Sequence, residues 1–191
     1  MGDVTVAWEE LMTELRRVAP AVAAAVLPPG GMSVAEAQER LGTEFTPDLV
    51  EWFGLHGGIE LDYKFRFLPM NWPLDLAEAV RFSAEIREIW QDSEPRCEGD
   101  QVAGTVMETW LPQYVAVGND GMGGELFVDL RPGPRQGCVR EWERAQADDF
   151  ENSWDGLAPL LREIAAALRD GSRVGSWTPV IVDGGIEWEV P

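Results

Sequence analysis

The sequence predicts an α+β fold, a mainly antiparallel sheet packed by helices, with a hairpin near the C-terminus. Two observations carry this prediction. Apolar residues in the first part of the chain recur at the spacing of amphipathic helices, and from Ile59 they alternate with polar residues at the two-residue period of a strand. Helices followed by several strands and then a late helix are typical of α+β proteins, not of proteins with parallel sheets.

Length and composition predict a single folded domain over residues 1–191. A chain of this length buries about 70% of its unfolded surface. Its hydrophobic fraction of 45% is too high for an acidic disordered tail. We expect the core at about 33–168, with an N-terminal helix at 4–27 and a C-terminal hairpin at 178–190 as additions.

The chain is strongly acidic, with 34 Asp and Glu against 15 Lys and Arg and a net charge of -19. Nucleic acid and anionic membranes would be repelled at long range, whereas a basic protein would be attracted. The alternative is that the charge serves solubility alone. No apolar run reaches the ~18 residues of a membrane span, and the N-terminus has no signal-peptide pattern, so we expect a cytoplasmic protein. Cys97 and Cys138 form no CxxC motif, which favours reduced thiols.

The first two helices are defined by one apolar stripe and one capping signal. The stripe covers 4–27, where Pro20 should break or kink the helix because proline lacks the N–H of the helical ladder. Ser33 followed three residues later by Glu36 is a capping box, which begins the second helix. Gly42 ends that helix because glycine readily adopts the left-handed conformation of a helix C-terminus.

Three further helices follow from caps and spacing. The third begins at Thr46 as N-cap, with Pro47 at the first helical position, and Gly57 is its expected C-cap. Helical apolar spacing predicts the other two, at 76–90 and 154–168.

The strands are predicted by alternation and by turn residues. The first is Ile59–Phe67, with one buried and one solvated face. The Asp183-Gly184 pair is a strong turn signal between the two strands of the C-terminal hairpin. A polar, acidic loop is expected at 93–104. The remaining predicted strands are 110–117, 125–130 and 138–142.

The glycine-rich segment Gly118–Gly124 is predicted to be a hairpin turn. It lacks the Lys-Ser/Thr pair of a phosphate-binding loop, and Asp120 would repel phosphate. Glycines that tolerate positive φ angles explain the segment better. Asp120, Glu125 and Asp129 do not have the spacing of a calcium loop, so no metal site is predicted.

Three sequence blocks together resemble a known family. The blocks are VAEAQERLGTEFTPDLVEWFGLHGG at 34–58; the strand that ends at Phe67-Leu68-Pro69, with the helix from about Leu76; and 110–129, with the strand ending at Trp142 and the closing helix. In this order and spacing they resemble the SMI1/KNR4 family, also called the SUKH superfamily, over about Ser33 to Leu168.

The resemblance implies a scaffold that binds a partner and has no catalytic residues. Many bacterial members of the family are regarded as immunity proteins against secreted toxins, often nucleases, and fungal members act in the regulation of cell-wall synthesis. Glu39 matches the glutamate that is typical of the second helix. His56 stands where the family typically has an asparagine.

Residue chemistry independently argues against an enzyme. His56 is the only histidine, so a Ser-His-Asp triad or a histidine–metal site would have to use it. No GxSxG elbow is present, and no second ligand lies at metal-binding spacing. We expect His56 to meet the last carbonyls of the third helix instead. The sequence therefore predicts no catalytic residue, no cofactor and no metal.

The candidate partner-binding residues combine a dense acidic segment with an aromatic side chain that would anchor the centre of an interface. They are Asp120, Glu141, Trp142, Asp148, Asp149 and Glu151. The alternative is a solvated acidic face around core aromatics. A second acidic set competes for the role: Glu85, Glu88, Asp92, Glu94, Glu98 and Asp100.

The function predicted from sequence is a non-enzymatic immunity protein that covers the cationic cleft of a basic, nuclease-like toxin, such as a secreted toxin domain. A regulatory or scaffold protein of the SMI1/KNR4 type, without a toxin, is the alternative. A third hypothesis is an enzyme or ligand carrier with an apolar pocket near Trp72 and Trp110. The partner, the binding face and the oligomeric state stay open.

Overall fold

The structure of the protein, a computed structural model, describes residues 2–93, 100–143 and 147–190, and only the backbone at 147–151. The helices are α1 (Asp3–Val18), α2 (Pro20–Ala25), α3 (Val34–Leu41), α4 (Pro47–Leu55), α5 (Leu76–Trp90) and α6 (Leu157–Asp170), with a 3₁₀ turn at Tyr63–Phe65. The strands are β1 (Trp72–Pro73), β2 (Tyr114–Asn119), β3 (Gly124–Asp129), β4 (Cys138–Glu143), β5 (Ala147–Trp154), β6 (Thr178–Val182) and β7 (Gly185–Glu189).

Strands β1 to β5 form one sheet in chain order, and every pair is antiparallel. A separate hairpin pairs β6 with β7. The predicted fold class, a mainly antiparallel α+β protein with a C-terminal hairpin, is therefore confirmed. The order β1-β2-β3-β4-β5 brings the β2–β3 turn and the last residues of β4 to the same end of the sheet, because Gly124 pairs with Glu143.

Two helix contacts hold the layers together. Helix α1 packs on α6 through apolar side chains that are fully or almost fully buried, such as Leu11 and Leu161. Ion pairs border this contact, including Arg169 Nε to Glu14 Oε1 at 2.9 Å. Helix α5 packs on β2, where the Ser83 hydroxyl accepts the N–H of Ala116 at 2.9 Å. That hydroxyl satisfies a backbone donor next to the bulge in β2.

The signals for the first helices are confirmed. The chain breaks before Pro20 into α1 and α2, because proline can begin a helix but cannot continue one. The Ser33 hydroxyl accepts the N–H of Glu36 at 3.2 Å at the start of α3. Gly42 ends α3 with a left-handed φ of 64°.

Three predicted boundaries are wrong. Helix α4 ends in the extended residue His56, not at Gly57, and Thr46 makes no side-chain cap bond. Helix α6 begins at Leu157, because Trp154 is the last residue of β5. The predicted strand at 110–117 is shifted to Tyr114–Asn119.

The predicted strand Ile59–Phe67 is also wrong. Only Ile59 makes a bridge, an isolated one to Val26, and the chain then forms the 3₁₀ turn at Tyr63–Phe65. Leu61 is 77% exposed, so the alternating pattern does not mark a strand with a buried face. The C-terminal hairpin packs on this segment instead, and the Trp188 indole donates to the Arg66 carbonyl at 2.7 Å.

The sequence missed β5, the strand at Ala147–Trp154 that pairs with β4. Its acidic residues predict a solvated or binding segment and not a strand, because acidic residues are poor strand formers. The C-terminal hairpin is confirmed, with the turn at Asp183 and Gly184, both at positive φ. Of the expected loop at 93–104, residues 94–99 lie outside the described residues, as does Cys97; Cys138 is buried.

Candidate functional site

A pocket of about 140 Å³ lies at the end of the sheet where the β2–β3 turn meets the end of β4. Three of the candidate residues predicted from sequence line it: Asp120, Glu141 and Trp142. Glu125 and Glu143 add two carboxylates to its wall. We call this feature the acidic pocket. The fold thus brings together carboxylates that are up to 23 positions apart in the chain, since Asp120 and Glu143 both line it.

Asp120 shapes the turn between β2 and β3. Its Oδ1 atom accepts the N–H groups of Met122 at 2.6 Å and of Gly124 at 2.8 Å. Gly121 and Gly123 adopt φ angles of 78° and 106°, which side chains other than glycine strongly disfavour. The predicted hairpin turn at Gly118–Gly124 is confirmed. One edge of the acidic pocket is therefore held by the turn's own hydrogen bonds.

Glu141 is 9% exposed and is tied to the surrounding protein. Its two oxygens accept the side-chain N–H of Asn152 at 2.6 Å and the indole N–H of Trp177 at 2.9 Å. Glu125 is 1% exposed, and its Oε1 accepts from Asn119 Nδ2 at 3.3 Å. These two carboxylates belong to the interior wall of the acidic pocket, because neither projects freely into solvent.

The expectation that Trp142 anchors a partner at the surface is corrected. The residue is fully buried, and its ring makes edge-to-face contacts with Trp90 at 5.8 Å and Trp110 at 5.4 Å between centroids. Aromatic pairs in this geometry stabilise a core. Trp142 therefore forms an inner wall of the acidic pocket. The alternating sequence pattern does not distinguish a buried tryptophan from an exposed one.

The three remaining candidates, Asp148, Asp149 and Glu151, lie on β5. The register pairs Asp148 with Trp142 and Ala147 with Glu143, so the backbone of the acidic segment runs beside the strand that lines the pocket. Of the competing acidic set, Glu94 and Glu98 lie outside the described residues.

An exposed aromatic cluster adjoins the pocket, and the sequence did not indicate it. The Arg66 guanidinium lies 4.2 Å from the Tyr63 ring centroid and 4.0 Å from that of Trp72. Arg66 also donates to the Asp120 carbonyl at 2.6 Å, which links the cluster to the pocket's turn. Tyr63 is 66% exposed. If residues 59–67 formed a strand, as the sequence predicts, Tyr63 would lie on its buried face. An exposed cluster around Tyr63 was therefore not expected.

His56 is buried and does not meet the helix carbonyls as expected. Its ring stacks on Trp8 at 5.2 Å, and Nδ1 accepts the N–H of Gly58 at 3.0 Å. Removal from solvent lowers the pKa of His56 from 6.5 to about 3. The imidazole is therefore neutral and inaccessible at pH 7, a poor setting for a general acid or base.

Asp129, which the sequence marks as a carboxylate at a strand end, forms a buried ion pair. Arg131 Nη2 lies 2.6 Å from Asp129 Oδ2 and also contacts the Thr105 carbonyl. Asp129 Oδ2 accepts the Gly104 N–H at 2.9 Å. Through these bonds to Gly104 and Thr105, the ion pair holds the segment before β2 against the sheet. Within the described ranges, no three His, Cys, Asp or Glu side chains group closely enough to hold a metal ion.

The two tryptophans proposed to share a ligand pocket have different surroundings. Trp110 is 3% exposed and packs on Tyr114, Phe127 and Trp142. Trp72 packs on Tyr63 and Arg66 near the surface. No helix in the described part of the chain combines the length and apolar character that a membrane crossing needs.

Comparison with known proteins gives one family match. The model of the SMI1 / KNR4 family (SUKH-1) matches residues 32–168, which is most of the chain and includes the acidic pocket's strands. A search of the curated proteins returned no match.

Proposed function

We propose, on the premise that the chain belongs to the SMI1/KNR4 family (SUKH-1), that it is a non-enzymatic protein that binds a basic protein partner. The observation that carries the proposal is the acidic pocket at the end of the sheet, in a chain with a net charge of -19. The specific role that we propose is immunity: neutralisation of a nuclease-like toxin in the cytoplasm.

The proposed mechanism is steric. A nuclease needs a cationic cleft to hold the phosphate backbone. An acidic surface that covers this cleft excludes the nucleic acid while it satisfies the cleft's positive charge. Long-range attraction raises the association rate, and contacts at the centre of the interface lower the dissociation rate.

The proposed binding surface is the sheet end around the acidic pocket. It includes Asp120 and Glu143, the acidic strand β5 with Asp148, Asp149 and Glu151, and the adjoining aromatic cluster. The exposed Tyr63 and the half-buried Trp72, next to carboxylates, match the composition of protein interfaces, where aromatics form the centre and polar groups the rim. Glu141 and Trp142 support this surface from inside.

The absence of catalysis is part of the proposal. It is supported by the only histidine, His56, which is 1% exposed and neutral at pH 7. A regulatory or scaffold protein of the SMI1/KNR4 type, without a toxin, is the second candidate. The exposed aromatic cluster around Tyr63 favours a partner in both cases.

The test begins with purification of the protein from its host and identification of what accompanies it. Association kinetics are then measured for a variant with Glu143, Asp148 and Asp149 changed to Lys. Glu141 is left unchanged, because its reversal would break the bonds to Asn152 and Trp177.

The matched control changes three exposed carboxylates outside both acidic sets, Glu9, Glu39 and Glu44, to Lys. Both variants have the same net charge. If the sheet end binds, the first variant associates much more slowly than the control. Equal rates would show that only the overall charge matters, and a neutral or acidic partner would contradict the proposed function.

A further inference from the structure

We propose that the C-terminal hairpin positions the aromatic cluster of Tyr63, Arg66 and Trp72 for the protein partner. This inference rests on the proposed function, because it concerns how one part of that binding surface is held in place. The family match ends at residue 168, whereas the hairpin comprises β6 and β7 at 178–189. The element to which we assign this role therefore lies outside the region that the family model matches.

Strand β7 lies directly against the 3₁₀ turn at Tyr63–Phe65, which carries the cluster. A methyl group added at Gly185 would collide with Lys64 Cβ and would lie 2.9 Å from the Lys64 carbonyl oxygen, well inside van der Waals contact. A glycine in a strand often marks such a close approach of another backbone. Ile186, the next residue of β7, is fully buried. The hairpin is therefore closely packed on the turn, and a larger residue at position 185 would push it away.

Trp188 connects the hairpin to the residue at the centre of the cluster. Its indole N–H donates to the Arg66 carbonyl at 2.7 Å, and the side chain is 9% exposed. This bond is buried, so its loss would leave a polar group without a partner in a place that water does not reach. The hairpin thus fixes the backbone of Arg66.

The Arg66 side chain in turn holds both aromatic rings. Its guanidinium lies 4.2 Å from the Tyr63 ring centroid and 4.0 Å from that of Trp72, and it donates to the Asp120 carbonyl at 2.6 Å. The Trp72 indole donates to the Asp62 carbonyl at 2.7 Å. Arg66 is 6% exposed, so it has little space in which to change its conformation. A displacement of the Arg66 backbone is therefore expected to displace the rings.

Tyr63 is the member of the cluster that a partner meets first, because it is 66% exposed. A side chain that is ordered before binding loses less conformational entropy when a partner contacts it. Such a gain acts mainly on the dissociation rate, whereas charge acts on the association rate. We therefore expect the hairpin to affect how long the partner stays bound.

The first test needs no partner and uses the whole protein labelled with fluorotyrosine. The chain has two tyrosines, so fluorine NMR gives one signal from Tyr63 and one from Tyr114, which is fully buried in β2. The variant Tyr63→Phe assigns the two signals. We expect Gly185→Ala and Trp188→Phe to move the Tyr63 signal and to leave the Tyr114 signal in place.

Gly30→Ala is the matched control, because a methyl group added at Gly30 meets no atom within 4 Å. It should move neither signal. A Tyr63 signal that stays in place in both hairpin variants would overturn the proposal. Movement of the Tyr114 signal would overturn it as well, because the hairpin would then support the whole fold and not the cluster.

The second test measures binding kinetics with the protein that copurifies with the chain from its host. Trp188→Phe changes no charge, so its association rate should match that of the wild type. Its dissociation should be about two- to tenfold faster, which is the effect of one hydrogen bond. A merely structural role would not produce this split, because both rates are measured on the folded protein. An unchanged dissociation rate would contradict the proposal.

The two tests separate this inference from the proposed function. If a basic partner dissociates equally fast from the wild type and from Trp188→Phe, the inference fails and the proposed function stands. If the copurifying protein is neutral or acidic, the proposed function fails. Its dissociation rate from Trp188→Phe and the fluorine signals then still decide the role of the hairpin.

Discussion

His56 should make the protein lose stability as the pH falls below neutrality. The ring is 1% exposed and lies between Trp8, at 5.2 Å, and Trp52, at 4.2 Å between ring centroids. Its Nδ1 accepts the N–H of Gly58, which is only possible for the neutral ring. Burial lowers the pKa of His56 from 6.5 to about 3.

The sign and the magnitude follow from proton binding. Between pH 6.5 and pH 3 the unfolded chain binds a proton at His56 and the folded protein does not. The free energy of unfolding therefore decreases as the pH falls through this window. Each pH unit contributes about 1.4 kcal/mol. From pH 7.5 to pH 5 the loss due to this one group is about 2 kcal/mol.

The assay is urea unfolding at several pH values for the wild type and for His56→Asn. The variant replaces histidine by the amide that is typical of the family, and it removes only this titration. We expect it to be less stable at pH 7.5, because a stacked ring is lost, but about 2 kcal/mol less sensitive to the change from pH 7.5 to pH 5. Identical pH profiles for both proteins would refute the argument.

Four other predictions follow. Raising salt should slow association with the partner more than it speeds dissociation, in stopped-flow kinetics. Trp142→Ala should lower the free energy of unfolding by about 3–5 kcal/mol, measured in urea. Arg131→Met should cost a similar ~3–5 kcal/mol because Asp129 is left charged and buried, and adding Asp129→Asn should recover part of the loss. Deletion of residues 1–31 should prevent cooperative thermal unfolding, because the apolar face of α6 loses its cover, whereas independent folding of the remainder would contradict a single domain.

The helices could be predicted well because their signals are local. Pro20, the Ser33 cap and Gly42 act within a few residues of where they stand, so tertiary contacts did not change the outcome. The C-terminal hairpin is similar, since Asp183 and Gly184 define a turn by themselves.

The strand errors have a tertiary cause. Ile59–Phe67 has the strand period, but β1 at Trp72–Pro73 is the strand that pairs with β2. The earlier segment is instead covered by the C-terminal hairpin through Trp188. Conversely, β5 is rich in acidic residues and becomes a strand because β4 offers it an antiparallel edge. The hairpin that covers residues 59–67 and the β4 edge that pairs with β5 both lie too far along the chain to be inferred from the residues next to these segments.

The candidate site could be predicted only as a segment of chain. Sequence proximity grouped Glu141 and Trp142 with the acidic run, yet the structure buries both and brings Asp120 to them from another turn. Asn71, which lines the acidic pocket, and the aromatic cluster around Tyr63 were missed, because a lone buried amide and a lone tyrosine carry no motif. The position of Asn71 depends on the turn that Met70 forms, and no local sequence rule predicts a left-handed methionine.

Several arginines of this chain bind groups in its interior and so contribute little to compensating the acidic surface. Arg66, Arg131 and Arg140 are each less than 10% exposed, and their guanidinium groups bind backbone carbonyls or a buried carboxylate. Arg87 bonds the carbonyls that end α3 and precede β2. Guanidinium groups that bind groups in the interior do not screen the carboxylates at the surface, so the electrostatic potential of the surface is negative. Four carboxylates, Glu14, Glu125, Asp129 and Glu141, are buried as well, so the acidic excess that a partner would meet at the described surface stays close to that of the composition.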